Sequence, residues 1–259
     1  AEAGMTGIAA GLAASGLLPI TYTITPFNTL RCLEQIRLDV CYPDLPVIII
    51  GTGAGLSYAN LGATHHSMED IGVLRMLPNM NIVCPGDPVE VKLALASAIK
   101  LRQPTYIRLG KKGEPLVHNV TPKFIIGKGI TVRYGSDIAI LSVGNMLPTA
   151  ITCANLLQKI GISTKVISLH TVKPLDVDLL TELFREYKRI AVIEEHGLAG
   201  GAGSAVLEWG SKQRVDLKKL FCFGAPDYFF TRCGTQSQAR EITGLDPKSI
   251  FAELSKKLD

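Results

Sequence analysis

The sequence predicts an α/β protein built as two open α/β domains in series. Three observations carry that expectation. Short apolar runs alternate with amphipathic stretches, the alternation lapses once near the middle, and 259 residues at 47% hydrophobic content can bury one or two ordinary cores.

In the first half, residues 18–24, 46–51, 81–84 and 105–109 read as strands, each near Gly, Pro or Asp punctuation. Helical patterns fill the gaps. The clearest is 88–101, where Asp87 can cap, Pro88 suits the first position and Glu90 completes a capping-box-like start. Strands alternating with helices imply a parallel sheet covered on both faces. Residues 111–129 turn polar and Gly/Pro-bearing, so they are expected to connect the domains, with boundaries at 1–117 and 118–259. Beyond them, 138–143, 165–169 and 189–193 read as strands. The helices between carry Ala150, Cys153, Ala154 and Leu157, then Leu180, Leu183, Phe184 and Tyr187, at helical spacing, with Gly161 where the first should stop.

A formal charge of +4, with no basic run longer than Lys111-Lys112, gives no nucleic-acid footprint but is compatible with a small anionic substrate. Six cysteines without a C-x-x-C suggest neither a zinc site nor a disulfide framework, and they are expected to be reduced and mostly buried. The apolar stretch 8–20 lacks a preceding basic region, is broken by Gly11, Gly16 and Pro19, and is too short to span a bilayer. A cytoplasmic protein without membrane or nucleic-acid partners is the expectation.

GATHHSMED, residues 62–70, reads as a loop entering a helix, with adjacent His65 and His66 and nearby carboxylates. Metal binding is one reading, but no H-E-x-x-H-like spacing brings both histidines to one ion, and loop histidines are more often hydrogen-bonded surface structure. The cluster Gly197, Gly200, Gly201, Gly203 departs from G-x-G-x-x-G spacing, and a Gly-rich turn before a helix is common punctuation, so nucleotide binding is not expected there.

Six blocks in order, AEAGMTGIAAGLAASG, PFNTLRCLEQIR, GATHHSMEDIGVLRMLPNM, PTYIRLGK, HTVKPLD and EEHGLAGGAGSAVLE, resemble the transketolase family over nearly the whole chain. The resemblance implies a transketolase pyrimidine-binding domain followed by a transketolase C-terminal domain, and transfer of a two-carbon ketol unit from a ketose to an aldose. It places Glu2 where the family has the glutamate that activates thiamine diphosphate, hydrogen-bonded to the aminopyrimidine so that a ring nitrogen can remove the thiazolium proton. Without the resemblance, Glu2 reads as an ordinary carboxylate at a helix start. The second residue of a chain would fray, so the natural protein is expected to extend upstream and supply this domain's first strand.

The resemblance further implies that Phe27 packs on the pyrimidine ring and that Arg31 lines the same pocket. It sets His65 beside substrate oxygens, His66 in a lesser polar contact, and Arg108 on a substrate phosphate. The ordinary alternatives are core packing for Phe27 and salt bridges for Arg31 and Arg108. Two departures stand out. Leu61 replaces a hydroxyl-recognising Asp, and Gly53 stands where the family has a histidine near the phosphate end. A sugar hydroxyl buried against leucine without a partner would cost about 1–3 kcal/mol, so a deoxy, branched or otherwise modified sugar is expected.

No G-D-G occurs. The oxygen ligands for Mg²⁺, which hold the cofactor's diphosphate, are therefore expected from an N-terminal diphosphate-binding partner subunit, in an α2β2 heterotetramer. A β-type subunit of a 2-oxo-acid dehydrogenase and a non-catalytic assembly subunit are the competing readings.

Overall fold

The computed structural model describes residues 1–256. Helix α1 (Glu2–Ala14) leads to β1 (Ile20–Ile24), then come the short helices α2 (Thr25–Asn28) and α3 (Leu33–Gln35), the latter continued by a π-helical turn at Ile36–Cys41. Next are β2 (Ile48–Thr52), α4 (Asp70–Arg75), β3 (Asn81–Val83), α5 (Pro88–Leu101) and β4 (Thr105–Leu109). The second half runs β5 (Ile130–Arg133), β6 (Ile138–Ser142), α6 (Leu147–Gln158), β7 (Thr164–Ser168), β8 (Thr171–Lys173), α7 (Val177–Glu186), β9 (Arg189–Gly197), α8 (Ala202–Gln213), β10 (Leu220–Ala225), α9 (Gln236–Thr243) and α10 (Pro247–Leu254).

Both sheets have five strands, ordered β1-β2-β4-β3-β8 and β10-β9-β6-β7-β5. Each is parallel except for one antiparallel edge, β8 on β3 and β5 on β7. The seven strands expected from the sequence are present. The other three, β5, β8 and β10, lie at sheet edges, where short or half-exposed strands give little hydrophobic pattern. Strand β8 comes from the second half of the chain yet completes the first sheet, pairing Ile82 with Lys173 and Val83 with Thr171. One apolar cluster likewise continues from Ala9, Ile36 and Leu74 to Leu141, Val192 and Val206. Among the described residues no helix is long and apolar enough to cross a membrane.

Asp87 caps α5 by accepting the Glu90 N–H at 2.9 Å. Its other oxygen accepts the Val117 and His118 N–H groups, both at 2.9 Å, and so ties down the connecting segment. Glu90 does not close a reciprocal capping box. Its fully buried carboxylate instead accepts the Gly86 N–H at 2.7 Å and the Ser168 hydroxyl at 2.9 Å, and meets His118 Nε2 at 2.7 Å. The hydrogen bond to Glu90 raises the His118 pKa against the opposing effect of burial. Stability from that pair is present in full below the unfolded histidine value of about 6.5 and is lost as pH rises through the higher folded value. The urea midpoint of the wild type should therefore fall as the buffer moves from mildly acid to alkaline, and His118→Gln should flatten that slope.

Arg108 and Asp70 form a buried ion pair beneath the carboxyl end of the first sheet, with Arg108 2% exposed and Asp70 0%. Nε donates to Asp70 at 2.7 Å, while Nη2 reaches Asp70 at 3.2 Å and the carbonyls of Ser67 and Glu195 at 2.9 and 3.0 Å. The Tyr106 hydroxyl completes the Asp70 shell at 2.6 Å. Burial alone would raise the Asp70 pKa, but the Arg108 charge and the hydrogen bonds from Arg108 and Tyr106, with the nearby His196, together outweigh it and the net shift is downward. Arg108→Ala would leave a buried carboxylate unpaired and is expected to cost about 3–5 kcal/mol in urea unfolding.

Candidate active site

Ligands of open parallel sheets bind outside the carboxyl ends of the strands. Here β1, β2 and β4 are neighbours, and just beyond their carboxyl ends lie Phe27, Gly53 and Lys111. From these ends a continuous strip of side chains extends. Glu2 accepts a hydrogen bond from Arg31 at 2.7 Å, and the Arg31 guanidinium carbon lies 4.7 Å from the centroid of the Phe27 ring. Phe27 meets His65 edge-on at 5.4 Å, His65 meets Tyr58 edge-on at 6.1 Å, and Lys111 Nζ lies 4.9 Å from the Tyr58 ring centroid. Glu2, Phe27, Tyr58 and His65 are half-buried, and Arg31 and Lys111 are exposed.

The Arg31 hydrogen bond holds the Glu2 carboxyl far below the usual range, at about 2. Thr64 Oγ1 lies 2.9 Å from His65 Nδ1, which fixes the ring and leaves Nε2 for another partner.

Four of the residues expected from the sequence, Glu2, Phe27, Arg31 and His65, thus come together. The other three are placed differently. His66 is buried, its pKa lowered by that burial, and its ring lies 5.9 Å from Phe230. It faces an interdomain cleft of 660 Å³ instead of Phe27. Arg108, expected on a substrate phosphate, is instead buried with Nε and Nη2 spent on Asp70 and two carbonyls, so its geometry is that of the salt-bridge alternative. Leu61 is 46% exposed, on a turn closed by its N–H to the Tyr58 carbonyl at 2.8 Å.

Tyr58 and Lys111 join the strip without having been expected from the sequence. Lys111 carries a faint signal, a cation just past the end of a parallel strand, whereas Tyr58 carries none.

The second domain braces the loop that bears Tyr58. Glu195, fully buried on β9, accepts the Leu56 N–H at 2.7 Å and pairs with Arg240 and Gln236 of α9. Beside it, buried Glu194 accepts the Ala202 and Gly203 N–H groups at 2.7 and 2.8 Å. The amino end of α8, where a nucleotide phosphate would sit, is therefore filled by the chain's own carboxylate. A Cβ on Gly201 would strike that carboxylate, which explains the glycine there. Gly201→Ala should accordingly cost about 1–3 kcal/mol in urea unfolding.

The residues present fit the pyrimidine side of thiamine diphosphate. The space beside Phe27 and Glu2 accepts a flat N–H donor, since the Arg31 guanidinium takes up both contacts at once. The metal side has no match among the described residues. Asp87, Glu90 and His118 lie within ligand distance of one another, but they are spent on the helix cap and the connecting segment.

Comparison with known proteins agrees with this division. Residues 1–114 match the family model "Transketolase, pyrimidine binding domain", and 127–250 match "Transketolase, C-terminal domain". The chain belongs to the transketolase family. Among its relatives is a subunit of the apulose-4-phosphate transketolase of Actinobacillus succinogenes, 34% identical over 96% of this chain and 80% of the relative. Another is a subunit of the 6-deoxy-6-sulfo-D-fructose transketolase of a Clostridium species, 33% identical over 96% and 77%. A solved structure described as a split gene transketolase, inactive beta4 tetramer, superposes on all of this chain and 81% of its own with a TM-score of 0.89 at 33% identity.

Proposed function

We propose that this chain is the pyrimidine-binding, catalytic half of a split transketolase and moves a two-carbon ketol unit from a ketose to an aldose. The observation that carries the reading is the strip Glu2, Phe27, His65 at the carboxyl ends of β1 and β2, in a chain that lacks the G-D-G metal motif. The relatives' names as subunits and the inactivity stated for the solved tetramer support the need for a second polypeptide. That partner is the N-terminal diphosphate-binding subunit, which supplies the Mg²⁺ ligands in an α2β2 assembly.

When bound, thiamine diphosphate supplies the carbon nucleophile that accepts the ketol unit. Glu2 would hold the ring's N–H edge and Phe27 would support its face, with Arg31, which donates to that carboxylate, giving way. His65 Nε2 holds or moves a proton at a substrate oxygen while Thr64 fixes the opposite nitrogen. Lys111, exposed at the end of β4, offers a charge to an anionic substrate end that buried Arg108 does not. The deoxy sugar in one relative's name supports a modified sugar as substrate. Six free cysteines, four of them buried, suit a reducing compartment, and we place the protein in the cytoplasm.

Three measurements test the reading. Co-expressed with its partner and given thiamine diphosphate and Mg²⁺, the chain should transfer ketol units between sugars. Glu2→Gln should abolish turnover while the pair still assembles, as read by size exclusion with light scattering, and retained turnover would remove Glu2 from its role. Activity on pyruvate with a lipoyl acceptor would favour the 2-oxo-acid dehydrogenase reading.

A further inference from the structure

Gly53 follows β2 with φ of +82°, a left-handed conformation that favours glycine. A second constraint is steric. A Cβ built on Gly53 would clash with Cε2 and Cδ2 along one edge of the Tyr58 ring, so the tyrosine occupies the volume that a side chain at position 53 would fill. The absence of a side chain at 53 and the presence of a ring at 58 are one steric unit. The loop that carries the ring is also fixed in position. Ser57, the neighbour of Tyr58, donates to the Ala54 carbonyl at 2.7 Å, Leu56 N–H is held by Glu195 at 2.7 Å, and the turn from Tyr58 closes on Leu61.

A half-buried aromatic held between His65 and Lys111 lies beside the residues that act on substrate oxygens and offer charge. An aromatic face attracts the C–H groups of a sugar chain but satisfies hydroxyls poorly, and Leu61, on the same turn, offers nothing polar. We propose that Tyr58 is the specificity-determining residue of this site, a wall in the place left free at Gly53 that stacks on a hydroxyl-poor stretch of the substrate. This rests on the ketol-transfer reading above and narrows its substrate class to sugars deoxygenated or branched along that stretch.

The test uses the paired enzyme with D-xylulose 5-phosphate and a panel of its deoxy and branched-chain analogues. Tyr58→Ser, which removes the ring and offers a hydroxyl, should shift the kcat/KM ratio at least tenfold toward D-xylulose 5-phosphate, mainly through KM. Tyr58→Phe, which keeps the ring, should restore the wild-type ranking. Gly53→Ala, which pushes the ring aside, should shift the ratio in the same direction and guards against a Tyr58→Ser chain that fails to fold. A ratio that stays within threefold in both ring-displacing variants would overturn the inference. Calorimetric binding of the same sugars reads Tyr58 without turnover. Unchanged Kd rankings refute the role of Tyr58, whereas changed rankings in an enzyme that transfers no ketol unit support it and count against the transferase reading alone.

Discussion

The buried pair of Arg108 and Asp70 is the contact on which the arrangement of the site depends. It joins the central strand β4 to the first turn of α4, and through Arg108 Nη2 it reaches the carbonyls of Ser67 and Glu195. One guanidinium thus sets the loop that ends the histidine segment against a strand of the other domain. An isolated buried charge would be costly, and the pair is tolerable because Asp70 is also held by Tyr106 and because Arg108 meets two carbonyls besides. What the pair provides is geometry, since Arg and Asp each accept few alternative positions without leaving a charge unsatisfied.

The two domains behave as one framework for the same reason. Strand β8 of the second half completes the first sheet, and the apolar cores merge. Between and within the domains, buried carboxylates organise loop and helix ends. Glu195 holds Leu56, Glu194 holds the start of α8, and Asp87 and Glu90 hold the connecting segment through residues 117 and 118. Backbone groups that would otherwise be orphaned at loop and helix ends thereby gain partners away from water.

The strip that emerges is chemically one-sided. It offers a carboxylate, an aromatic face, a histidine and a lysine, all near strand ends of a single sheet, while the one carboxylate cluster of ligand geometry among the described residues is committed to the helix cap and the connecting segment. The Arg31 contact with Glu2 and Phe27 shows how closely such a surface accommodates a flat N–H-bearing group.

Residue order alone was enough for the two α/β domains, seven of the ten strands and the Asp87-capped helix, because buried strands and capped helices write their burial into local periodicity. It was also enough for the joint presence of Glu2, Phe27, Arg31 and His65, through motifs whose order is preserved along the chain. The fates of Arg108 and His66 needed the folded molecule. A cation or imidazole at a given position can face a ligand or the interior, and which it does depends on partners as distant in sequence as Glu195 and Phe230. The edge strands β5, β8 and β10 were settled in the same way, since an edge strand is stabilised by the sheet it joins more than by its own residues. Tyr58 is the sharpest case: its place follows from the side chain that Gly53 lacks, a steric vacancy five residues away that no local pattern records.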